Sequence, residues 1–233
     1  MTNRASALSR ARRAALVAVR SHPIAVGTIL AGAAVVSAFL FLVGLDPIVI
    51  LGLLGIVAIA ALVTDRLGRR IVTTESSGAR GRLAVGATGL AALATFGAIQ
   101  LVPYGRDHSN PPVTGEPAWA DPRTRELMVN ACYACHSNEV DYPAYASVAP
   151  LSWAVQRHVE EGREAVNYSE FDSDPRDADE TVEVVQEGEM PPPFFTRFGR
   201  HPEANLSDAE LEALIDGLRA TPGMSEHGGS DGD

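Results

Sequence analysis

The chain has no lysine, and its 19 basic residues are all arginine, a usage that goes with GC-rich coding. It has only two cysteines in 233 residues, too few for the four-ligand thiolate sites of structural zinc. No run alternates apolar and polar residues in the way of a half-buried strand, so nothing here builds a sheet. Basic charge is scarce in one half. After Val102 there are nine arginines against 26 carboxylates, a net charge of −17. That excludes nucleic-acid binding, which needs a basic face. Before Pro103 there are ten arginines and three acidic residues, Asp46, Asp65 and Glu75, a net charge of +7. Such asymmetry indicates two environments rather than one globule. The acidic surplus suits a high-salt or surface-exposed setting, where net charge keeps a protein soluble.

What the first half does have is apolar length. Three uncharged stretches, 24–45, 48–64 and 83–102, stand in a row. A bilayer core takes about 20 apolar residues per helix, within a range of about 17–25. The first and third fit, and the second sits at the short end. Asp46-Pro47 makes a tight turn, so the first two spans form a hairpin. Arg4, Arg10, Arg12, Arg13 and Arg20 precede the first span, and Arg66, Arg69, Arg70, Arg80 and Arg82 lie between the second and third. Both segments belong on the cytoplasmic side by the arginine bias of loops. Three crossings then put the N-terminus in the cytoplasm and everything after Val102 outside, in a multi-pass protein of the cell membrane. A cleaved signal peptide is the rival for the first span, but a second span follows at once. No ionisable residue lies inside a span, so a proton or ion path has no residues to run on. Gly52 and Gly55, or Ala31 through Ala34, offer small-residue packing faces. Residues 1–102 read as an anchor.

Residues 103–117, PYGRDHSNPPVTGEP, read as a linker. Residues 118–222 read as a folded domain and 223–233 as a disordered acidic tail. Four helices are expected in the domain. Asp121-Pro122 starts the first, RTRELMVNACYAC, with an N-cap and a proline at the first helical position. Ser152 caps the second, WAVQRHVEEGREAV, with Val155, Val159 and Val166 near helical spacing. Asp174-Pro175 starts the third, which passes Val182 and Val185 and closes at Gly188. Ser207 and Glu210 form a capping box for the fourth, with Leu206 and Leu211 as a hydrophobic staple. Leu211, Leu214, Ile215 and Leu218 then make one buried stripe. The fold class is all-α: three transmembrane helices, then a small helical domain whose long loops need a large buried partner to pack on.

Both cysteines fall in ACYACHSN, residues 131–138. Cys132 and Cys135 are followed at once by His136, and Cys-x-x-Cys-His is the attachment signature of c-type haem. Two thiols add to the two vinyl groups of one porphyrin edge, and two intervening residues set that separation. The next residue points its imidazole at the iron. Cys132 and Cys135 are therefore expected to hold one haem c through two thioethers, with His136 as proximal ligand. The rivals are a zinc site, which lacks further ligands, a thioredoxin-like pair, which lacks a βαβ setting, and a disulfide, whose two-residue loop constrains little.

For the other face of the iron, Met190 lies 54 residues after His136 in GEMPPPFF. A proline-stiffened loop holds a thioether in place, and methionine ligation favours the reduced iron. The other reading makes Met190 a packing residue. Met128 is expected to pack. His158 and His201 are the alternative ligands, though each reads first as a surface or satisfied core histidine, and Met224 and His227 stand in the tail.

The stretches CYACHSN, DYPAYASVAPLSW, EGREAVNYSEF, GEMPPPFF and LSDAELEALI, in this order, resemble the haem-binding domain family of small c-type cytochromes, over roughly Trp119 to Leu218. The family's haem-attaching pair and proximal histidine fall on Cys132, Cys135 and His136. Its methionine-proline element falls on Met190-Pro191. The resemblance implies a cytochrome-c-like fold. It also implies that Pro150 positions contacts near the proximal histidine, and that Trp153 and Tyr142 pack on or hydrogen-bond the haem. Ala144 departs from the family pattern, where a tryptophan is expected.

The function expected is single-electron transfer at the outer face of the membrane, between a membrane donor and an acceptor. The acidic surface steers redox partner proteins that carry a basic docking face. The alternatives are a haem-based gas or redox sensor, or a small peroxidase, both of which need an open sixth iron site.

Overall fold

Gly44 and Asp46 show how the sequence writes its first turn. Gly44 takes φ 87°, a conformation open to glycine at little cost. Its N–H donates to Phe41 O at 3.1 Å, and Leu45 N donates to Leu40 O at 3.0 Å, which closes helix α1, Pro23–Leu42. The Asp46 carboxylate then accepts from Ile48 N at 2.6 Å and opens α2, Pro47–Ile71, with proline at its first position. The expected hairpin turn is therefore present. Helix α3, Ser77–Ile99, packs on α2 and on α1. This computed structural model describes residues 23–42, 44–71, 77–172, 176–197 and 201–224. The chain divides into two compact units, Met1–Val102 and Pro103–Asp233.

Length and composition make one of the three helices fit to cross a membrane, α3 over Arg82–Ile99. The apolar parts of the others are shorter, Ile29–Leu42 and Pro47–Val63. Leucines, valines and phenylalanines stand exposed along all three, among them Leu30, Phe41, Leu51, Ile59 and Leu90. The hydroxyls turn inward: Ser37 donates to Ala33 O, Thr88 to Ala84 O and Thr95 to Ala91 O. Gly52 and Gly55 meet nothing within 4 Å where a side chain would start, so the packing role expected of them is not used among the described residues.

In the second unit, helix α4, Pro122–Ala131, is capped by Asp121, whose carboxylate accepts from Arg123 N and Thr124 N. The expected helix does not run unbroken into the cysteine motif. It stops at Cys132, at φ −121°, and a single turn, α5, Tyr133–His136, follows. The break lets the Tyr133 side chain enter the core. Helix α6, Leu151–Ala165, has Pro150 at its N-cap. The Ser152 expected at that position is one residue inside the helix and buried, so it caps nothing. Val166 lies beyond the helix end yet still joins the core.

A 3-10 turn, Arg176–Glu180, leads into α7, Thr181–Gln186, and Gly188 at φ 73° ends the segment as expected. The expected start, Asp174-Pro175, lies outside the described residues. After α8, Pro193–Thr196, comes α9, Asp208–Ala220, with the Ser207–Glu210 capping box in place. Leu214 and Leu218 are fully buried, and Leu206, Leu211 and Ile215 pack against the same cluster as Leu127, Met128, Tyr168, Val182 and Val185. Two helices approach closely where Gly217 of α9 faces the Thr124 side chain of α4, leaving no room for a Cβ.

Among the described residues there is no strand, only one isolated parallel bridge between Gly115 and Glu170. The unit is all-α. The stretch expected as a linker is bonded into this unit: Tyr104 donates to Glu160, and Thr114 N and Gly115 N donate to Ser169 O. Met224, expected in the tail, is fully buried in the core. An apolar thioether gains more from burial than a short terminal segment loses in freedom.

Candidate functional site

The site is built around one turn. Cys132 N donates to Met128 O at 2.8 Å and completes α4. Cys132 O then accepts from both Cys135 N and His136 N, at 3.1 and 3.0 Å. Cys132, Cys135 and His136 are thus carried on α5 and its leading residue. Both thiols are free. Burial pushes the Cys132 thiol up to about 12, and the Cys135 thiol up to about 11.

His136 is held at both ends. Its Nδ1 lies 3.1 Å from Val166 O, and because a carbonyl only accepts, Nδ1 carries the proton. Nε2 keeps its lone pair. The His136 carbonyl accepts from Tyr168 N at 2.8 Å, and the Tyr168 ring stands 6.0 Å from the imidazole. Burial lowers the imidazole's proton affinity, against smaller opposing contributions from the Val166 and Gly162 backbone. A neutral imidazole with one tied nitrogen is the form that binds a metal.

Helix α6 lies directly on this turn. A Cβ at Gly162 would stand 2.7 Å from Cys135 O and 3.0 Å from Cys135 Cβ. The chain leaving His136 is bolted down by amides. Asn138 N donates to Ser169 Oγ at 2.9 Å, and Asn138 Nδ2 to Pro112 O and Glu170 Oε1. Asn167 Nδ2 donates to Asn138 Oδ1, and Asn167 Oδ1 accepts from Ser169 N. Arg163 Nε donates to Ser137 O at 2.8 Å. The sequence reading missed Asn138, Asn167, Ser169 and Arg163. The one local signal was the polar pair Ser137-Asn138 straight after the histidine, buried where a loop would be wet.

The other candidates are placed as follows. Tyr142 is half-buried, stacks on His108 at 4.5 Å, and lies within electrostatic reach of Cys135. Pro150 begins α6. Trp153 is on the first turn of α6, half-buried, with its Nε1 buried and without a hydrogen-bond partner among the described residues. Met190 is on a separate segment after α7, its side chain exposed at 37% and its backbone N donating to Val184 O. Met128 is in the core. His201 is engaged at both nitrogens, Nε2 to Tyr145 OH at 3.0 Å and Nδ1 to Glu203 Oε1 at 3.2 Å. His158 stacks on Phe194 at 4.4 Å. His227 lies outside the described residues.

Comparison with known families decides what class of site this is. The description of a haem-binding domain matches residues 94–220, more than half of the chain. The chain belongs to this haem-binding domain family. No curated protein and no solved structure matches it. The match covers the cysteine turn, α6 and the Met190 segment together.

The residues present fit a haem on structural grounds. Two free thiols and a lone-pair Nε2 share one turn. The orphaned Trp153 Nε1 is a buried donor. An unsatisfied buried donor costs about 1–3 kcal/mol, which an acceptor on a bound group would offset. Among the described residues, no group of three His, Cys, Asp or Glu is placed to hold a metal ion unaided.

Proposed function

We propose that this haem-binding protein is a membrane-anchored monohaem c-type cytochrome that passes single electrons at the outer face of the membrane. The observation that carries the reading is the His136 ring. On a Cys-x-x-Cys-His turn, it is tied through Nδ1 to Val166 O and left with Nε2 for iron. Haem, when bound, supplies one-electron exchange at its iron. The chain's own residues do the rest. Cys132 and Cys135 would hold the macrocycle through thioethers. His136 and Met190 would be the ligands of its iron. Trp153 Nε1, buried without a partner among the described residues, would be the donor for a haem carboxylate, and Tyr142 and Pro150 would lie near the haem.

The anchor reading rests on the first unit. Exposed apolar side chains along α1, α2 and α3 would be a liability in water and suit lipid. Hydroxyls that bond back to their own helix need no solvent. With the arginine bias of the flanking segments, this supports three crossings, an N-terminus in the cytoplasm and the haem domain outside. Redox partners with a basic docking face follow from the 26 carboxylates of residues 103–233.

The test is an oxidised and reduced optical spectrum of the full chain, co-expressed with haem c maturation machinery in membranes. The expected result is a low-spin haem in both states, with a weak far-red methionine-to-iron band when oxidised. A high-spin haem that binds carbon monoxide would overturn the electron carrier in favour of a sensor or peroxidase with an open sixth site. A low-spin haem without the far-red band would replace Met190 by a histidine.

A further inference from the structure

We infer that His158 and His201 are positioning residues: stacked on Phe194 and Phe195, they clamp the short α8 helix and so fix Met190 for the iron. The inference rests on the reading of Met190 as the sixth ligand and goes beyond it. Phe194 lies on His158 with ring centres 4.4 Å apart, and Phe195 lies on His201 at 3.9 Å with the planes 9° apart. Helix α8 has four residues, none of them fully buried. A single turn of helix does not hold itself in water, so its attachment to the unit must come from contacts such as these two stacks. His201 is a fixed anchor rather than a spare ligand, since Tyr145 OH and Glu203 occupy its two nitrogens.

Met190 sits between this clamp and a second fixed point. Upstream, Glu189 N and Met190 N both donate to Val184 O, at 2.9 and 3.2 Å, past the turn at Gly188. Downstream, Pro191, Pro192 and Pro193 connect Met190 to Phe194. Each proline locks its own φ, so the connection is a stiff arm rather than a tether.

The clamp also gives both iron ligands one frame. His158 and Gly162 are four residues apart on α6, and residues at that spacing share a helix face. Gly162 rests on Cys135, and His158 rests on Phe194. One face of one helix therefore references the proximal turn and the methionine segment together.

The experiment compares haem-loaded full-length variants by the far-red band of the oxidised form and by carbon monoxide binding to the reduced form. Wild type is expected to show the band and to bind no carbon monoxide, and Met190→Ala to reverse both. His158→Ala/His201→Ala is expected to lose the band and gain carbon monoxide binding while its haem stays covalently attached. His158→Phe with His201 left in place, which keeps both stacks and the bonds that anchor His201, is expected to keep the wild-type pattern. If the double alanine variant does not mature, Phe194→Leu, which keeps apolar bulk without a ring, is read in the same way. An unchanged band in the alanine or leucine variant overturns the clamp while leaving methionine ligation standing, and so does loss of the band in His158→Phe. A wild type without the band removes methionine ligation itself, and the clamp with it.

Discussion

The two units use apolar residues and glycines in opposite ways. In the first, Ile48 and Leu93 stand 79% and 67% exposed, and Gly52 and Gly55 face open space. In the second, Leu214 and Met224 are 1% and 0% exposed, and Gly162 and Gly217 have neighbours where a side chain would begin. The same residue types thus carry different burdens. The first unit leaves large apolar side chains facing outward along its helices. The second is written for water, and its few helices close on each other wherever glycine allows.

The largest test of that contrast is a pair of truncations. Leu214→Ala should cost about 2–5 kcal/mol, the range for a fully buried leucine, whereas Leu93→Ala should leave the second unit's stability unchanged. Both tryptophans, Trp119 and Trp153, are in the second unit, so fluorescence-monitored urea unfolding in detergent reads that unit alone. Equal losses would erase the contrast.

Glycines sharpen it next. Gly162→Val forces a side chain onto the Cys135 backbone and should cost about 1–3 kcal/mol as an overpacked site, with a matching fall in haem-loaded protein. Gly52→Ala and Gly55→Ala should change stability by no more than about 0.5 kcal/mol, as open surface positions do. Thermal melts of the three variants side by side would show it.

How much of this was legible beforehand follows from how local each signal is. The Cys-x-x-Cys-His turn and the Ser207–Glu210 capping box are complete within five residues, and both stand where the sequence puts them. The break at Cys132 was not legible, because it answers to the Tyr133 ring needing the core. Ser152 was misread as a cap because Pro150, two residues earlier, begins the helix. The Asn138, Asn167 and Ser169 network joins residues some thirty positions apart, so no window of sequence contains it. Met224 was hidden by the polar composition of its neighbours. The stacks on Phe194 and Phe195 were hidden for another reason: the partners of His158 and His201 are not neighbours that a sequence pattern names, and only the fold brings the rings together.

Smaller effects remain. Ser207→Ala should cost about 1 kcal/mol, the usual loss of an N-cap, seen as a lowered unfolding midpoint of the second unit. The smallest concerns pH. Hydrogen bonds from Arg125, at 2.6 and 2.7 Å, hold the Glu116 carboxyl below its ordinary range, against a smaller burial effect. A carboxyl depressed in the folded state adds stability above its unfolded value of about 4.3 and loses it as pH falls through the folded value. Wild type should therefore weaken on acidification below about pH 4.5 more steeply than Glu116→Gln. Parallel curves of unfolding midpoint against pH would contradict the assignment.

The central claim is that this chain carries its haem covalently on Cys132 and Cys135. The direct measurement is a denaturing gel stained for haem, with intact mass, on the full chain matured in membranes, beside Cys132→Ser/Cys135→Ser. The account predicts haem that stays with the wild-type polypeptide after denaturation, a mass raised by one haem, and neither in the double serine variant. Haem that dissociates on denaturation, or that persists without the two thiols, would contradict it.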